Sequence, residues 1–174
     1  MAITASLVKE LRDKTNAGMM DCKKALTETN GDLDAAVKLL REKGIAKAAK
    51  KADREASQGV VTSIVAEDGR SGILLEVNCE TDFVAKNDNF QAFVSDLAST
   101  LSASSAVTLD EALEVEKDGG TVGDFVKAKV IEMGENLLIS SFTRFAVADG
   151  VQGAVSDYIH LGGKVGVLIE VNCE

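Results

Sequence analysis

The chain is poor in the residues that build covalent or metal-linked frameworks. Its 174 residues contain three cysteines, one histidine and no proline. Cys22, Cys79 and Cys173 are odd in number and show no CxxC spacing, which argues against a disulfide framework and against a zinc site. We therefore expect reduced thiols, as in the cytoplasm, and neither a metal nor another cofactor.

Long apolar runs are also missing. The longest runs have the length of a strand, far short of the roughly 20 residues that span a bilayer. The first residues, Met-Ala-Ile-Thr-Ala-Ser, lack the charged and hydrophobic regions of an export signal. With 45% hydrophobic residues, the chain is long enough for one sizeable domain and a small one. The sequence thus predicts a globular cytoplasmic protein without a membrane partner.

The motifs of common active sites are absent as well. The sequence contains no G-x-x-x-x-G-K-[ST], no G-x-G-x-x-G and no G-x-S-x-G, so we expect no direct nucleotide binding in a phosphate loop and no serine hydrolase. Cys79 and His160 fall in different predicted hairpins, and nothing in their spacing indicates a catalytic thiol pair. We interpret His160 as structural or interfacial and expect no catalytic residue, so the protein is predicted not to be an enzyme.

The charge is divided unevenly along the chain. Residues 1–55 contain 12 of the 19 lysines and arginines and 9 of the 28 acidic residues, a net charge of +3, which leaves −12 for the remainder. An acidic body is repelled by a phosphate backbone. This division predicts two modules, and a protein is a better partner for the larger one than a nucleic acid.

Residues 1–44 are expected to form a compact bundle of three short helices. The first helix breaks at Thr15-Asn16-Ala17-Gly18, and the second runs from about residue 19 to 29. Asp32 is a good N-cap for the third helix, which Gly44 should end. Residues 45–57 combine basic side chains with high helix propensity and little apolar surface, which predicts a basic helical linker.

Met19 and Met20 stand between a glycine and the cationic pair Lys23 and Lys24. They are either an exposed soft contact surface or filler of the bundle's core. Core filler for at least one of them is the favoured interpretation from the sequence.

The body contains a duplicated hairpin. The segment from Gly59 to Glu80 recurs 94 positions later as Gly153 to Glu174. Asp68-Gly69 and Gly162-Gly163 are expected to supply the positive φ angles of two-residue turns. Apolar residues at helical spacing predict helices between the copies, namely Phe90, Phe93, Val94, Leu97 and Leu101, then Phe125, Val126, Val130 and Met133.

These patterns predict an α+β fold, with the helical bundle followed by two related subdomains, each with helices packed on an antiparallel sheet. We expect the N-terminal core subdomain at residues 58–135 and a partial C-terminal one at 136–174, which begins with a strand at 136–148. The strand from Val165 to Val171 is too apolar to stay uncovered. We therefore expect either a shortened chain or one that completes itself by association, for which a homodimer is possible.

Phe83 lies where the sequence predicts a polar connection between a strand and a helix. Thr81 and Asp82 are turn and cap formers, and so is Asn87. By burial preference alone, Phe83 would be a plug in the protein's own core. The alternative is an anchor for a binding partner, since large aromatic side chains carry much of the energy at protein interfaces.

Two stretches resemble signatures of the elongation factor Ts family. The first stretch contains Leu11-Arg12, Thr15-Asn16, Gly18-Met19, Asp21, Lys23-Lys24 and Ala25-Leu26. The second stretch is Glu76 to Lys86. Residues 134–136 and 158–160 are similar to the family as well. The resemblance covers the whole chain and implies a ubiquitin-associated-like N-terminal domain and a core of two related α+β subdomains.

The resemblance also implies a function in translation elongation, as a guanine-nucleotide exchange factor for elongation factor Tu in its GDP-bound and nucleotide-free forms. It implies that Asp82 and Phe83 enter the partner's GTP-binding domain beside its magnesium site, held by Thr81 and Val84. This favours the binding anchor for Phe83. Further positions match partner contacts: Arg12, Met19, Met20 and Lys23 from the N-terminal domain, and Gly134 and His160 from the core.

Two other functions stay open from the residues alone. A binding-only module of the ubiquitin-associated type accounts for residues 1–44 and assigns no role to the duplicated body. An RNA-associated translation factor would rest on residues 45–56 alone, and a run of charge is more often a solvated face.

Overall fold

The computed structural model describes residues 3–15 and 17–173, which divide into two units. One unit is Met1–Asp53 with Lys127–Glu135, and the other is Arg54–Val126 with Asn136–Glu174. Asn16, which falls in the predicted helix break, and Glu174, at the end of the second repeat, lie outside the described residues.

The first unit contains the three predicted helices, α1 (Ala5–Thr15), α2 (Met19–Glu28) and α3 (Leu33–Ala49). Asp32 is the N-cap of α3, and its side chain accepts a hydrogen bond from the backbone N–H of Ala35 at 2.9 Å. The core of the bundle consists of Val8, Leu11, Cys22, Ala25, Leu26 and Ala36. The expected helical bundle is therefore confirmed.

The prediction that Gly44 ends the third helix is wrong. The helix continues to Ala49, with Lys50 as its C-cap, because the alanine-rich segment after Gly44 is a good helix former. Gly44 is buried, and a Cβ atom at this position would collide with the side chain of Ile131. The glycine therefore allows close packing. The predicted linker at 45–57 is helical only in its first part.

The second unit contains a three-stranded antiparallel sheet and a separate antiparallel hairpin. Its elements are β1 (Gln58–Val65), β2 (Ser71–Cys79), α4 (Asp82–Ala85), α5 (Asp88–Ser102), α6 (Leu109–Glu114), β3 (Glu116–Lys117), β4 (Gly120–Thr121), the start of α7 (Val122–Met133), β5 (Leu137–Ala146), β6 (Gln152–His160) and β7 (Val165–Cys173). The sheet has the order β1-β2-β5, and β6 pairs with β7. Although the sequence places residues 136–148 in the second subdomain, β5 pairs with β2 and completes the first sheet.

The two faces of the β1-β2-β5 sheet are covered differently. Ile73, Leu75 and Val77 are fully buried on the face toward α5, whose predicted apolar stripe is confirmed as buried. The opposite face carries Gly72, whose nearest neighbours include the side chains of Val155 in β6 and Leu168 in β7. The sheet is thus a middle layer between α5 and the β6–β7 hairpin.

The two copies of the repeat meet with approximate two-fold symmetry. The N–H of Val61 donates to the carbonyl of Gly163 at 2.7 Å, and the N–H of Val155 donates to that of Gly69 at 2.7 Å. In the repeat, Val155 corresponds to Val61 and Gly163 to Gly69, so each copy donates and accepts the same hydrogen bond. Ser63 and Asp157, which are equivalent to each other, share a hydrogen bond between their side chains. The hairpins therefore pack as a self-complementary pair, as subunits do in a two-fold dimer.

Both hairpin connections are longer than the predicted two residues. The first connection lies between Val65, where β1 ends, and Ser71, where β2 begins. Within it, the N–H of Gly69 donates to the carbonyl of Ala66 at 2.8 Å. Gly69 has the expected positive φ of +65°, but Asp68 does not share this conformation. The second connection contains three residues with positive φ, namely Leu161, Gly162 and Gly163.

The sequence analysis missed the short helix α6 and the small β3–β4 ladder. A signal for α6 exists, because Thr108 and Glu111 have the spacing of a capping box. The side chain of Thr108 accepts from the N–H of Glu111 at 3.2 Å, and the carboxylate of Glu111 accepts from the N–H of Thr108 at 3.1 Å.

Candidate functional site

The stretch after β2 forms a single helical turn, α4, where the sequence predicts an irregular connection. Thr81 is its N-cap, and the hydroxyl of Thr81 accepts a hydrogen bond from the N–H of Val84 at 3.4 Å. Phe83 is 83% exposed, whereas Ala85 is buried on the opposite side of the turn. The core plug is therefore excluded for Phe83, and its aromatic ring is held out into solvent.

Two hydrogen bonds hold this turn in place. The thiol of Cys79 donates to the carbonyl of Thr81 at 3.1 Å, which attaches the start of the turn to β2. The side-chain amide of Gln91 donates to the carbonyl of Ala85 at 2.6 Å, which attaches its end to α5. Phe83 thus projects from backbone that is bound at both ends, although its own side chain is free of the core.

Asp82 carries a negative charge next to the exposed ring. Its carboxylate pairs with the ammonium group of Lys86 at 2.8 Å, one helical turn later. The hydrogen bond from Lys86 and the charge of Lys86 lower the pKa of Asp82 below its ordinary value, and the charge of Lys164 contributes in the same direction. The wedge, by which we mean Asp82 and Phe83, therefore combines an ionised carboxylate with an exposed aromatic ring.

Glu80 and Asn136, which lie in family-like stretches, have a structural role that the sequence analysis missed. Glu80 accepts a hydrogen bond from the backbone N–H of Asn136 at 2.6 Å. Asn136 is buried, and its side-chain amide donates to the carbonyl of Arg54 at 2.8 Å. The first bond attaches the start of β5 to the end of β2, and the second attaches it to the segment before β1.

The N-terminal candidates lie on the surface of the helical bundle. Met19 is 56% exposed and Met20 is 63% exposed, so the expectation that at least one of them fills the core is wrong. Cys22, Ala25 and Leu26 form the buried side of α2 instead. Two methionines at the first turn of α2 therefore provide soft apolar surface.

The cationic candidates accompany this surface. Arg12 in α1 and Lys23 in α2 are both exposed. Met20 and Lys23 line one shallow depression together with Lys24, and Arg12 lines another with Asp21. Apolar and cationic contacts are thus available on the bundle.

Gly134, another predicted contact, ends α7 with a φ of +78°. This left-handed conformation is the usual one for a glycine after a helix. Its N–H donates to the carbonyl of Val130 at 3.1 Å, and its carbonyl accepts from the side chain of Lys51. A partner can therefore be bound at this position only through the backbone.

His160 lies at the end of β6, exposed beside Tyr158. The hydroxyl of Tyr158 lies 3.0 Å from Nδ1 of His160. The structure does not support a catalytic pair of Cys79 and His160, because the thiol of Cys79 is buried and donates a hydrogen bond to the carbonyl of Thr81.

The face of β6–β7 that points away from β1 and β2 is apolar and exposed. We call it the outer face, and its large apolar side chains are Tyr158, Val165, Val167, Ile169 and Val171. No helix among the described residues packs on it, which differs from the expectation that each half carries its own helices.

The structure brings the wedge and the flanking residues Thr81 and Val84 together on one turn of the second unit, to which His160 also belongs. The candidates on the first unit are Arg12, Met19, Met20, Lys23 and Gly134. Every helix within residues 3–15 and 17–173 is too short or too polar to span a bilayer. The described part of the chain contains no group of three or more His, Cys, Asp or Glu side chains arranged to hold a metal ion.

Comparison with known proteins agrees on one family. A family model described as elongation factor TS matches residues 80–174. The chain is 49% identical over 173 residues to elongation factor Ts of Nostoc punctiforme, which covers 99% of this chain and 55% of the relative. Elongation factor Ts of Clostridium perfringens is 50% identical over 173 residues, and that of Nitratiruptor is 45% identical over 174, each with 56% of the relative covered. The chain spans about half the length of these curated relatives.

Proposed function

The chain belongs to the elongation factor Ts family, and we propose that it binds elongation factor Tu and promotes the release of GDP from it. The observation that carries this proposal is Phe83, which is 83% exposed on a turn bound at both ends. Exposing a large apolar ring to water is unfavourable unless a partner covers it. Because the backbone beneath Phe83 is already held, it loses little conformational entropy when the ring enters a partner's pocket.

Release of a tightly bound nucleotide requires coupling between two binding events. A nucleotide with nanomolar affinity is held by about 12 kcal/mol. An exchange factor must therefore bind the nucleotide-free partner much more tightly than the loaded one, and by reciprocity the nucleotide weakens binding of the factor. This mechanism needs no catalytic side chain in the exchange factor.

The wedge has the chemistry for such coupling. We propose that Phe83 enters the GTP-binding domain beside the magnesium and phosphate site and displaces side chains there. Asp82 is ionised, and an ionised carboxylate beside bound phosphates is repelled by them, which favours the nucleotide-free partner. Thr81 and Val84 hold the turn through the N-cap hydrogen bond.

The remaining candidates would contribute affinity. We propose that Met19 and Met20 form apolar contacts and that Arg12 and Lys23 form cationic ones, since all four side chains are exposed. Gly134 would contribute its backbone groups to the interface with the partner, and His160 would contribute its imidazole ring. Truncation of such peripheral contacts should weaken binding less than truncation of the wedge, because a few central residues carry most of the energy of an interface.

The test is a release assay with elongation factor Tu loaded with fluorescent GDP. Excess unlabelled GDP is added with and without the chain, and the decay of fluorescence gives the release rate. Acceleration by the chain supports exchange activity. Binding without acceleration would instead indicate the binding-only module, and binding to RNA but not to elongation factor Tu would indicate the RNA-associated factor.

Self-association and a cytoplasmic location stay predictions of the sequence. The exposed outer face of β6–β7 supports self-association, because an apolar patch of this kind favours burial. Sedimentation velocity at several concentrations tests it: a mass that stays monomeric up to the highest concentration would contradict the homodimer.

A further inference from the structure

The only tyrosine and the only histidine of the chain form a pair. Tyr158 and His160 lie two positions apart on β6, so their side chains share the outer face. Their rings are stacked, with centroids 5.6 Å apart and planes inclined by 20°, and the hydroxyl of Tyr158 is 3.0 Å from Nδ1 of His160. Both the ring plane and one ring nitrogen of His160 are therefore engaged by the same neighbour.

This contact selects one tautomer of the neutral imidazole. A neutral imidazole has one N–H donor and one bare nitrogen that accepts. A phenol is a good donor, and a bare imidazole nitrogen is a better acceptor than a phenol oxygen, which favours donation from the hydroxyl of Tyr158 to Nδ1 over the reverse direction. The ring proton of His160 is then on Nε2, and the nitrogen not engaged by Tyr158 is a donor.

The backbone beneath the pair is held as well. The carbonyl of His160 accepts from the N–H groups of Gly163 at 3.2 Å and Lys164 at 3.1 Å. The carbonyl of Gly163 in turn accepts from Val61 of β1 at 2.7 Å. The end of the hairpin is thus attached to the first sheet, and the position of the His160 ring is defined relative to it.

We propose that Tyr158 is a positioning residue, which holds His160 in the Nε2–H tautomer so that Nε2 donates to an oxygen acceptor of elongation factor Tu. The inference rests on the proposed function, which assigns His160 to the partner interface. The acceptor is a carbonyl or carboxylate oxygen, since a second N–H donor cannot pair with Nε2–H. Tyr158 acts only through the imidazole and need not contact the partner.

The tautomer can be measured without the partner, because a single histidine makes the spectrum unambiguous. We expect ¹⁵N chemical shifts of the wild-type chain, recorded where a titration shows a neutral ring, to identify Nδ1 as bare and Nε2 as protonated. Tyr158→Phe keeps the stacking ring and removes the hydroxyl. It should move the tautomer ratio by about fivefold toward that of an unstructured histidine peptide, the effect of one neutral hydrogen bond. A wild-type ring protonated on Nδ1, or unchanged shifts in Tyr158→Phe, would overturn the proposal.

The release assay then tests whether the tautomer matters for exchange. His160→Gln retains an amide N–H close to the position of Nε2, whereas His160→Asn places its amide near Nδ1 instead, so we expect Gln to retain more activity. Tyr158→Phe should slow stimulated release by about two- to fivefold in the wild-type background, and should have no further effect in His160→Gln. Ser156→Ala on the same face is the matched control.

The outcomes separate the two proposals. Equal slowing by Tyr158→Phe in both backgrounds would show that Tyr158 acts by another route and would overturn the positioning role. Unchanged release in both His160 variants would do the same, because the imidazole would then have no part in exchange. Absence of any stimulation by the wild-type chain would contradict the proposed function, while the ¹⁵N shifts would still decide the tautomer.

Discussion

The two hairpins of the repeat have the same apolar pattern in their second strands and the same strand pairing, yet opposite exposure. Ile73, Leu75 and Val77 in β2 are each 0% exposed, whereas their counterparts in β7 are 44% exposed for Val167, 47% for Ile169 and 57% for Val171. The first set lies under α5, and the second set has no described helix over it. A strand with the same apolar pattern is thus core in one copy and surface in the other, which shows that burial depends on the neighbouring element.

The cysteines show the same difference. Cys79 is buried and donates to Thr81 at 3.1 Å, while its counterpart Cys173 is exposed and lies 3.6 Å from the carbonyl of Gln152. In the first copy, the cysteine of the repeated Asn-Cys motif therefore holds the turn that carries the wedge. In the second copy, the described residues end with this motif at the end of a strand.

The largest expected effect compares Leu75→Asp with Ile169→Asp. A charge at the fully buried position of Leu75 has no partner, and we expect it to lower the free energy of unfolding by more than about 4 kcal/mol. The same change at Ile169 leaves the carboxylate in water and should cost less than about 1 kcal/mol. Urea denaturation followed by circular dichroism measures both. Equal losses would mean that the outer face is covered in solution.

The next comparison is between exposed apolar side chains of the two copies. Phe83→Ala should slow stimulated GDP release by about 30-fold, since truncation of a central interface residue costs about 2 kcal/mol. Ile169→Ala, and Val107→Ala as a control at another exposed position, should leave the rate unchanged. Circular dichroism should show that all three variants are folded. A rate for Phe83→Ala equal to wild type would refute the assignment of the wedge.

A smaller effect is expected from the two cysteines. Cys79→Ala removes a buried sulfur and its hydrogen bond to Thr81, and should lower the free energy of unfolding by about 1–2 kcal/mol. Cys173→Ala should change it by less than about 0.5 kcal/mol because the side chain is exposed. Thermal denaturation under reducing conditions compares them. A larger loss from Cys173→Ala would contradict the exposure of the second copy.

The smallest effect concerns the charge of the wedge. Lys86→Ala should raise the pKa of Asp82 toward its ordinary value, because the hydrogen bond and charge of Lys86 are the main causes of its lowering. Lys164→Ala should raise it less. Since the pKa of Asp82 is lowered on folding, its pairing stabilises the fold at neutral pH and is lost as pH falls through the folded pKa. Carbon-13 titration of the Asp82 carboxyl measures the shift, and an unchanged pKa in Lys86→Ala would exclude the ion pair in solution.

Much of the fold could be predicted because its signals are local. Helical spacing identified α5 and α7, and side-chain capping identified the starts of α3 and α5 at Asp32 and Asn87. The positive φ of Gly69 and Gly162 also follows from the residue type. The end of α3 could not be predicted, because Gly44 serves packing against Ile131, a residue 87 positions away in the chain.

Some features of the candidate site could likewise be predicted from local signals, and others could not. Its position between β2 and α5 was evident from the pattern of turn and cap formers, and the resemblance to one family identified its residues. Burial preference alone favoured the core for Phe83 and for at least one of Met19 and Met20, and only the resemblance to the family favoured an exposed Phe83. The pair of Tyr158 and His160 was visible as a spacing of two, but only the strand geometry gives this spacing a meaning.

The sequence by itself determined the family, the repeat, the helical bundle and the position of the turn that carries Asp82 and Phe83, because periodicity, capping and motifs depend on neighbours along the chain. The tertiary structure decided which copy of the repeat is buried, the pairing of β5 with β2, and the two-fold packing of the hairpins. These features depend on contacts between residues far apart in the chain. Strands with similar apolar patterns can lie in the core or at the surface, and the element packed against each strand decides which of the two occurs.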